Sequence, residues 1–442
     1  MMPRILTIAG SDSGGGAGIQ ADLKTITLLG GYGMSVITAL TAQNTLGVSG
    51  IHEVPADFVA KQLEAVLTDI GADAAKTGML SNSMIIRAVC GSLRRFRIPN
   101  LVVDPVMVSK NGARLLSPEA EDTLRQELIP LAQVITPNIP EAEVLAQKKI
   151  RKATDLREAA VRIQKMGARY VLIKGGHLRG PALDLLFDGK KFYEFYGERI
   201  QTPHTHGTGC TLSAAIAAEL GKGKTVREAI ANAKQYIRAA IRFATPLGHG
   251  RGPVNHYAPL QRELEKYEVI QKLKRAFQIL SGKKIVNLLP EVQSNLGYAL
   301  PFARTPEEVA AFPGRFVRAG QEILKVADPE FGASRHIAQI VLTVMGHDPE
   351  MRSAMNIKYG VEILARARKA GLRVKHFNRQ DEPPQVKRKE GSSLSWGVQW
   401  VLTRTSQIPD LIFDRGDVGK EPMIRVLGRN PEEVAQKVLR LR

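Results

Sequence analysis

The chain has 442 residues, of which 44% are apolar and 24% are charged, which is enough material for two globular domains. This composition excludes a disordered or collagen-like protein, and no run of about 18 apolar residues offers a membrane span. The two cysteines, Cys90 and Cys210, are too few for a disulfide framework and favour a reducing cytoplasm. The first residues run into an apolar strand and a glycine loop, so we expect no secretory signal there.

The net charge of +19 raises the question of a nucleic-acid partner. The positive charge is spread over both halves of the chain, and its densest cluster is the run from Lys387 to Lys389 beside Pro383 and Pro384. Aromatic residues make up only 5% of the chain, too few for an obvious surface on which bases stack. We therefore expect small anionic substrates such as phosphates, and neither a nucleic acid nor a membrane as partner.

Residues 1–258 alternate short β-rich runs with amphipathic segments, which predicts an α/β domain with a parallel sheet and helices on both faces. Continuous apolar runs such as Leu101–Val103 are typical of parallel strands buried on both faces. The predicted strands are Ile5–Ala9, Val36–Leu40, Ala74–Thr77, Leu101–Val103, Val134–Thr136 and Tyr170–Lys174, and the predicted helices include Asp57–Ile70, Pro118–Leu131 and Asp155–Met166.

Glycine and proline end this pattern between Gly248 and Pro253. A charged helix at residues 259–280 has apolar side chains on one face, and we interpret it as a connector. Residues 281–442 then predict a second, smaller α/β domain. Its predicted strands are Ile285–Leu289, Arg373–Phe377, Leu411–Phe413 and Met423–Val426, and its predicted helices are Ser334–Met345, Gly360–Ala370 and Pro431–Leu441.

A glycine-rich segment, Gly10–Gly18, follows the first predicted strand and leads into a helix. Such a turn lets the backbone approach a ligand closely. The segment matches neither the phosphate loop with its Lys-Ser ending nor the dinucleotide fingerprint. Taken alone, it is equally well interpreted as a flexible turn.

A second glycine-rich segment, His206–Thr211, precedes the apolar helix Leu212–Leu220. The backbone N–H groups of Gly207, Thr208 and Gly209 at that helix start predict a site for an anion. The positive helix end would favour the thiolate of Cys210, which could then act as a base or nucleophile. The alternative is a buried cysteine at a tight turn.

Three further strand ends place polar groups at the sheet edge where open α/β folds bind ligands. Asp104 follows one strand, Asn138 and Glu141 follow the next and could hold Mg²⁺ through water, and Lys174 ends a third. Each alone is more often a surface residue. Together with the anion-binding helix start, they indicate phosphoryl transfer from ATP.

These motifs resemble those of hydroxymethylpyrimidine kinase/hydroxymethylpyrimidine-phosphate kinase, a ribokinase-like family of the thiamin pathway. The matching segments, over about residues 3–258, are Ala9–Asp12, Gly14–Asp22, Thr41–Thr45, Lys76–Leu80, Asp104–Met107, Thr136–Asn138, Lys174–His177 and His206–Cys210. The resemblance implies a ribokinase-like parallel-sheet α/β/α domain. It also implies a kinase that uses Mg-ATP to phosphorylate 4-amino-5-hydroxymethyl-2-methylpyrimidine and then its monophosphate. The glycine loop differs slightly from the family pattern at Ser13 and Gly14, without a chemical consequence.

The same resemblance implies roles for individual residues. Gln43 would contact the polar edge of the pyrimidine, with Asp22 and Met79 also lining the pocket. Cys210 stands where most ribokinase-like enzymes have an aspartate base, and the Gly207–Cys210 backbone resembles their anion hole. The phosphate and metal shell would be formed by Asn138, Glu141, Asp104 and Lys174, with the metal at Asp104 and Glu141.

The second half offers fewer chemical signals. Arg315 and the segment Gly332–His336, where a serine precedes a helix, make a plausible phosphate site. The equally good alternative is a solvated arginine and a histidine that caps the helix. Asp414 and Asp417 end another strand and could hold a metal or a phosphate, and no cysteine–histidine cluster has zinc spacing.

Residues 262–440 resemble the archaeal-type thiamin-phosphate synthase domain, through Pro290–Leu300, Gly332–Ile337, Met355–Gly360 and Pro409–Gly416. The resemblance implies an α/β/α sandwich that joins hydroxymethylpyrimidine pyrophosphate to thiazole phosphate. Arg315 and His336 would then be essential and contact phosphate groups.

Two other functions remain open. The same scaffold serves pyridoxine and pyridoxal kinases, and a domain like the second one can act as a ligand sensor when joined to a DNA-binding module. The single helix at 259–280 supplies no helix-turn-helix, which favours catalysis over sensing. The kinase family also implies a homodimer or higher homo-oligomer.

Overall fold

Two separate sheets organise the chain, which divides into the units Met1–Leu260 and Gln261–Arg442. A computed structural model describes residues 2–107, 116–176, 182–383, 386 and 392–442. His177, Pro384 and the basic run 387–389, all mentioned above, lie outside the described residues. Within the described ranges, no helix combines the length and the apolar character that crossing a membrane requires.

The first unit contains a nine-stranded sheet with the order β3-β2-β1-β4-β5-β6-β7-β8-β9. Its strands are β1 (Arg4–Asp12), β2 (Tyr32–Gln43), β3 (Val48–Glu53), β4 (Ala74–Thr77), β5 (Leu101–Val103), β6 (Val134–Ile135), β7 (Tyr170–Ile173), β8 (Ala182–Phe187) and β9 (Phe192–Gly197). The six central strands pair in parallel, as predicted, in the order β2-β1-β4-β5-β6-β7. The strands β3, β8 and β9 pair antiparallel at the two edges. All predicted strands of this domain are therefore present.

Helices cover both faces of this sheet. They are α1 (Gly18–Leu28), α2 (Ala56–Asp69), α3 (Ser83–Phe96), α4 (Pro118–Thr123), α5 (Ile139–Ala146), α6 (Ala153–Gln164), α7 (Thr208–Gly221) and α8 (Val226–Arg242). Successive strand residues point to opposite faces, so Leu6 and Val103 join the core under α2, α3 and α6, whereas Ile5 and Val102 join the core under α7 and α8. Burial on both faces explains the continuous apolar runs of the central strands.

The second unit has a mainly antiparallel seven-stranded sheet with the order β14-β11-β10-β15-β18-β17-β16, and a separate hairpin β12-β13. Its strands are β10 (Leu296–Ala299), β11 (Val309–Ala311), β12 (Phe316–Ala319), β13 (Glu322–Lys325), β14 (Glu330–Phe331), β15 (Ser353–Lys358), β16 (Val374–His376), β17 (Leu411–Asp414) and β18 (Met423–Gly428). Its helices are α9 (Ala258–Leu280), α10 (Arg335–Met345), α11 (Val361–Lys369), α12 (Ser392–Leu402) and α13 (Pro431–Leu439).

This second sheet also has a core on each face, which confirms the predicted α/β/α sandwich. Two predictions differ from the structure. Ile285–Leu289 contains a short 3₁₀ turn, Val286–Leu288, and no strand. The helix interpreted as a connector is α9, but Val269, Leu273 and Leu280 lie fully buried in the core of the second unit, so α9 is part of that domain.

Candidate active sites

A cavity of about 460 Å³ opens where the parallel strands of the first sheet end. Ligands of open α/β sheets bind at this edge. The predicted residues that line it are Gln43, Met79, Asp104, Asn138, Glu141, Lys174, Gly207, Thr208, Gly209 and Cys210. Residues far apart in the sequence are thus brought to one site.

Helix α7 begins in this cavity with a tight glycine turn. Gly207 precedes the helix with φ of +80°, and a side chain there would meet the carbonyl oxygen of Gly16 at 1.8 Å. Glycine satisfies both constraints. The first N–H groups of a helix lack partners within it, so this turn suits an anion. A Cβ on Gly209 would lie 3.5 Å from the Lys174 ammonium, which places that positive charge beside the turn.

Asp104 and Lys174 form an ion pair beside the start of α7. Lys174 Nζ lies 2.9 Å from Asp104 Oδ1, and the hydroxyls of Thr136 and Ser213 donate to the same carboxylate at 3.3 Å. Burial would raise the pKa of Asp104, but the charges of Lys174 and Lys76 lower it below its usual value. The carboxylate is therefore ionised at neutral pH.

Asn138 and Glu141 form a capping box at the start of α5. Asn138 Oδ1 accepts from the Glu141 N–H at 2.9 Å, and Glu141 Oε2 accepts from the Asn138 N–H at 2.8 Å. Burial raises the pKa of Glu141 to about 7; the charge of Lys174 opposes the rise, and that of Asp104 adds to it. Asp104 and Glu141 both interact with the charge of Lys174, and Lys76, which also acts on Asp104, is paired with Asp22, so the site can accept a further cation.

Mg²⁺ is usually held by one or two carboxylates together with waters and substrate phosphates. Asp104 and Glu141 provide such a pair and fit the predicted metal position. No group of three or more histidine, cysteine or acidic residues suited to a metal occurs in the described part of the chain. The remaining oxygen ligands would therefore come from the nucleotide and water.

Cys210 lies in the first turn of α7, as predicted, and its sulfur accepts a hydrogen bond from the backbone of Gly18. Burial raises the pKa of the Cys210 thiol to about 11, against the opposing charge of Lys76. This raised pKa contradicts the expectation that the helix start favours a thiolate. At this position the loss of hydration outweighs both the charge of Lys76 and the hydrogen bond from Gly18.

Asp22 does not line the cavity, which corrects the role expected for it. Its side chain is fully buried, and its Oδ2 accepts from Thr7 Oγ1 at 2.7 Å and from Lys76 Nζ at 2.8 Å. Lys76, to which the sequence assigned no role, lines the cavity instead. The negative charge of Asp22 outweighs the effect of burial and holds the pKa of Lys76 above its usual range. Asp22 therefore acts on the site by holding an ammonium in it.

The glycine loop before α1 is organised around Asp12. The carboxylate of Asp12 accepts from the N–H groups of Gly14 at 2.8 Å, Gly16 at 3.1 Å and Ala17 at 2.8 Å. It also lies 2.9 Å from Nε2 of His206. The loop thus forms an ordered wall of the cavity. Asp12 and His206 are functional candidates that the sequence indicated only as parts of longer motifs.

The second unit has its own cavity, also about 460 Å³. It is lined by Gln293, Asn295, Phe312, Gly314, Arg315, Ala333, Ser334, Arg335 and His336. The predicted residues Arg315 and His336 therefore share one site. Ser334 Oγ accepts from the Ile337 N–H at 3.4 Å and caps α10, as the serine in this segment predicts.

Arg315 has φ of +65°, a left-handed backbone conformation that is costly for a residue with a side chain. Its guanidinium donates to the carbonyl of Val292. Partial desolvation lowers the pKa of His336 to about 4, together with the positive charges of Arg425, Arg315 and Arg379. His336 is exposed at the cavity, within the field of these arginines. His336 is neutral at pH 7, in a strongly positive environment.

Asp414 forms part of a buried charge cluster. Its carboxylate lies 2.6 Å from Arg379 Nε and 2.7 Å from Arg425 Nη2, and the side chains of Asp414 and Arg425 are fully buried. Burial would raise the pKa of Asp414, but the two arginines lower it. Both oxygens of this carboxylate are engaged in ion pairs with arginines, which contradicts the suggestion that Asp414 holds a metal.

Comparisons with known proteins match each half of the chain to a family. Residues 12–255 match the family described as phosphomethylpyrimidine kinase, and residues 272–440 match the family described as thiamine-phosphate synthase ThiN. The thiamine biosynthesis bifunctional protein ThiED of Geobacter sulfurreducens is 59% identical over 253 residues, which are 57% of this chain and 52% of that protein. The chain thus matches about half the length of that relative.

Two further similarities cover almost the whole of the compared protein. The hydroxymethylpyrimidine/phosphomethylpyrimidine kinase of Mycobacterium bovis is 51% identical, over 57% of this chain and 93% of that protein. The solved structure of Bacillus subtilis pyridoxal kinase in complex with ADP is 44% identical, with a TM-score of 0.56, over 59% of this chain and 99% of that chain. This likeness confirms the ribokinase-like fold of the first domain. The chain therefore belongs to the phosphomethylpyrimidine kinase family and joins a kinase domain to a thiamine-phosphate synthase domain, the organisation of a bifunctional enzyme of thiamin biosynthesis.

Proposed function

We propose that the first domain uses ATP to phosphorylate 4-amino-5-hydroxymethyl-2-methylpyrimidine, and then phosphorylates the monophosphate to the pyrophosphate. The observation that supports this most directly is the content of one cavity. It combines the anion-binding start of α7, the ammonium of Lys174 and the polar amide of Gln43. A phosphate donor and a polar heterocycle can thus be bound together.

In this proposal, Gln43 contacts the polar edge of the pyrimidine, and Met79 provides an apolar contact for its ring. The backbone N–H groups of Gly207–Cys210 hold the phosphoryl group during transfer, and Asn138 and Lys174 contact the nucleotide phosphates. Phosphoryl transfer passes through a loose transition state, so positioning and charge neutralisation supply most of the rate.

We assign to Cys210 the uptake of the proton from the attacking hydroxyl. Because the pKa of the thiol is about 11, the thiolate is scarce at pH 7. A loose transition state forms the new P–O bond late, so the hydroxyl needs a proton acceptor only late in the reaction. The kinase rate should therefore increase with pH over the neutral range.

Mg²⁺ would be held by Asp104 and Glu141, with the remaining ligands from nucleotide phosphates and water. When bound, it would neutralise phosphate charge. Glu141 binds a cation only when it is ionised, and its pKa of about 7 makes binding sensitive to pH.

A pyridoxine or pyridoxal kinase is the second candidate for the first domain, because of the similarity to the Bacillus subtilis pyridoxal kinase. The discriminating measurement is kcat/KM for pyridoxine and for the hydroxymethylpyrimidine with the same purified chain. A higher value for the pyrimidine supports the first proposal, and a higher value for pyridoxine refutes it.

For the second domain, we propose the joining of the pyrimidine pyrophosphate to thiazole phosphate. The bond between the methylene carbon and the pyrophosphate breaks, the thiazole nitrogen bonds to that carbon, and pyrophosphate leaves. Arg315 and His336 lie in one cavity with a capped helix start, which suits contact with phosphate groups. The sensor function predicts binding of the same phosphates without product.

One reaction mixture tests both domains: the purified chain, Mg-ATP, hydroxymethylpyrimidine and thiazole phosphate. Thiamin phosphate, detected by fluorescence after oxidation, is the expected product. Accumulation of pyrimidine pyrophosphate without thiamin phosphate would support the kinase and refute the synthase in favour of a sensor. ATP consumption that yields no pyrimidine phosphate would refute the kinase.

We also propose that the enzyme acts in the cytoplasm. Cys90 and Cys210 are both free thiols, and the proton uptake assigned to Cys210 requires that it remain reduced.

We further propose that the enzyme forms a homo-oligomer. Light scattering of the purified chain would measure the oligomeric state, and a monomeric mass at the assay concentration would refute the oligomer.

A further inference from the structure

Two residues that line the second cavity have backbone conformations that cost energy. Gln293 has φ of +66° and Arg315 has φ of +65°, both in the left-handed region that favours glycine. Such conformations persist only where the surrounding structure holds them, and they concentrate at functional sites. The contacts that hold these two residues therefore show how the cavity is built.

Arg315 ends a tight turn that the side chain of Asn295 holds. The N–H of Arg315 donates to the carbonyl of Phe312 at 3.3 Å and closes the turn. Asn295 Nδ2 donates to the same carbonyl at 2.9 Å, and Asn295 Oδ1 accepts from the Phe312 N–H at 3.1 Å. Just after Arg315, the N–H of Phe316 donates to the carbonyl of Ser294 at 2.8 Å. The chain is thus held on both sides of Arg315 by residues 294 and 295.

The guanidinium of Arg315 is held by the same stretch of chain, because it donates to the carbonyl of Val292. Residues 292–295, which we call the anchor segment, therefore contact both the backbone turn and the side chain of Arg315. A guanidinium has five N–H donors, so those not used at Val292 remain for a phosphate in the cavity. The position of the anchor segment determines where these donors point.

Asn356, on β15, fixes the anchor segment. Its Oδ1 accepts from the Asn295 N–H at 2.7 Å, and its Nδ2 donates to the carbonyl of Gln293 at 2.9 Å. One amide thus holds the chain directly after the strained Gln293 backbone. Asn295 and Asn356 are 3% and 4% exposed, so bulk water does not replace these bonds. Asn356 is not among the residues that line the cavity, so its effect on a ligand there must pass through the anchor segment.

We propose that Asn356 and Asn295 are positioning residues for the synthase reaction, and that together they orient the Arg315 guanidinium towards phosphate in the second cavity. Asn356 fixes the anchor segment, and Asn295 fixes the turn. Asn295 also lines the cavity, but its oxygen already accepts the N–H groups of Phe312 and Leu296. Both asparagines therefore act through Arg315. This inference rests on the proposed function of the second domain.

The test supplies pyrimidine pyrophosphate and thiazole phosphate to the full chain and measures thiamin phosphate by fluorescence after oxidation. Asn356→Ala should lower kcat/KM for the pyrophosphate by about tenfold, the effect of one hydrogen bond. Asn295→Ala should lower it by at least as much. The kinase rate of both variants, measured by ADP release, should be unchanged.

Ser353→Ala is the matched control for Asn356→Ala. Ser353 lies on the same strand, is 2% exposed, and donates to the carbonyl of Gly297 at 2.8 Å. The control therefore removes a buried hydrogen bond from β15 to β10 and leaves the anchor segment intact. Both substitutions should lower the melting temperature of the second domain, which is the transition that ADP does not shift. Only Asn356→Ala should also lower kcat/KM.

A substitution at Arg315 tests whether the effect passes through its guanidinium. Arg315→Lys keeps a positive charge but loses the planar fork that has to be oriented. Added to Arg315→Lys, Asn356→Ala should lower kcat/KM by less than about twofold, because residues that act through one group do not have additive effects. If Asn356→Ala unfolds the second domain, Asn356→Ser, which keeps a hydroxyl, is measured in its place.

An unchanged kcat/KM in Asn356→Ala, or an equal loss in Ser353→Ala, would overturn the inference. A full tenfold loss on the Arg315→Lys background would overturn it as well, since Asn356 would then act without Arg315. If the wild type forms no thiamin phosphate from the two supplied phosphates, the proposed function itself fails, which is a distinguishable result.

Discussion

Replacing Lys76 by methionine should destabilise the first domain strongly. The substitution keeps the length of the side chain and removes an ammonium that lies 2.8 Å from Asp22, with both side chains 0% exposed. The carboxylate of Asp22 would keep one neutral donor, Thr7, and within the described part of the chain its Oδ1 has no hydrogen-bond partner. Removal of one partner from a buried pair costs about 3–5 kcal/mol. For a domain of this size, that lowers Tm by about 6–20 °C.

Calorimetry of the full chain measures this effect. The transition of the first domain is recognised by its upward shift when ADP is added. Asp22→Asn with Lys76→Met should recover much of the loss, because the uncompensated charge is gone and the two substitutions are coupled. A loss below about 1 kcal/mol in Lys76→Met, or equal losses with and without Asp22→Asn, would refute the argument that the pair is essential.

The pH dependence of Lys76→Met gives a second check. Burial raises the pKa of Asp22, and without Lys76 no positive charge of that pair opposes it. A carboxyl whose pKa is higher in the folded state binds more protons there, so stability decreases as pH rises above the usual aspartate value. The variant should have a higher Tm at pH 5 than at pH 8. The opposite slope would show that Asp22 stays ionised without its partner.

Further substitutions in the two domains should have separate effects. Cys210→Ala should lower kinase kcat by about 100-fold or more without weakening ADP binding, and full activity would exclude a role in proton uptake. In the wild type, Mg-nucleotide affinity measured by calorimetry should fall as pH decreases through about 7, where Glu141 becomes protonated, and Glu141→Gln should abolish this dependence. Asp414→Asn leaves two buried arginines without their carboxylate and should destabilise the second domain by about 3–5 kcal/mol, whereas exposed Asp417→Asn should not. Because the pKa of Asp414 is lowered in the folded state, the wild type should lose this stabilisation as pH falls through the acid range, and Asp414→Asn should not show that loss. Arg315→Ala and His336→Ala should each abolish thiamin phosphate synthesis and leave the kinase rate unchanged, and loss of both activities would indicate unfolding.

The fold was predictable where local pattern and burial agree. Leu101–Val103 is apolar throughout because a central parallel strand is covered on both faces, and it is a strand in the structure. Ile285–Leu289 is apolar except for Asn287, yet it contains a turn, and its Ile285, Leu288 and Leu289 are buried in the second core. A short apolar run indicates that a segment is buried. Burial alone does not distinguish a strand from a packed turn.

Site residues could be predicted from the sequence where their motifs follow strand ends. Site residues that are held by ion pairs between distant parts of the chain could not. Lys76 and Asp22 are 54 residues apart in the sequence, and His206 and Asp12 are 194 apart. No local spacing indicates that such residues meet. The prediction of a thiolate at Cys210 was wrong for a related reason. The sequence shows the helix start, but it does not show the burial that raises the pKa of the thiol.

The two sites differ in the sign of their charged side chains. Under the proposed function this difference affects the pyrimidine pyrophosphate, which the first site makes and the second site uses. In the first site, Asp104 pairs with Lys174, whose charge also acts on Glu141, so a bound metal ion would be needed to offset the two carboxylates while a polyanion is held there. Once the metal ion leaves, the same carboxylates repel a pyrophosphate ester and favour its release. In the second domain, Arg379 and Arg425 outnumber Asp414, and Arg315 adds a further positive charge to the environment of His336. Arginine stays charged at every physiological pH, so this site can attract the released ester without a change in protonation.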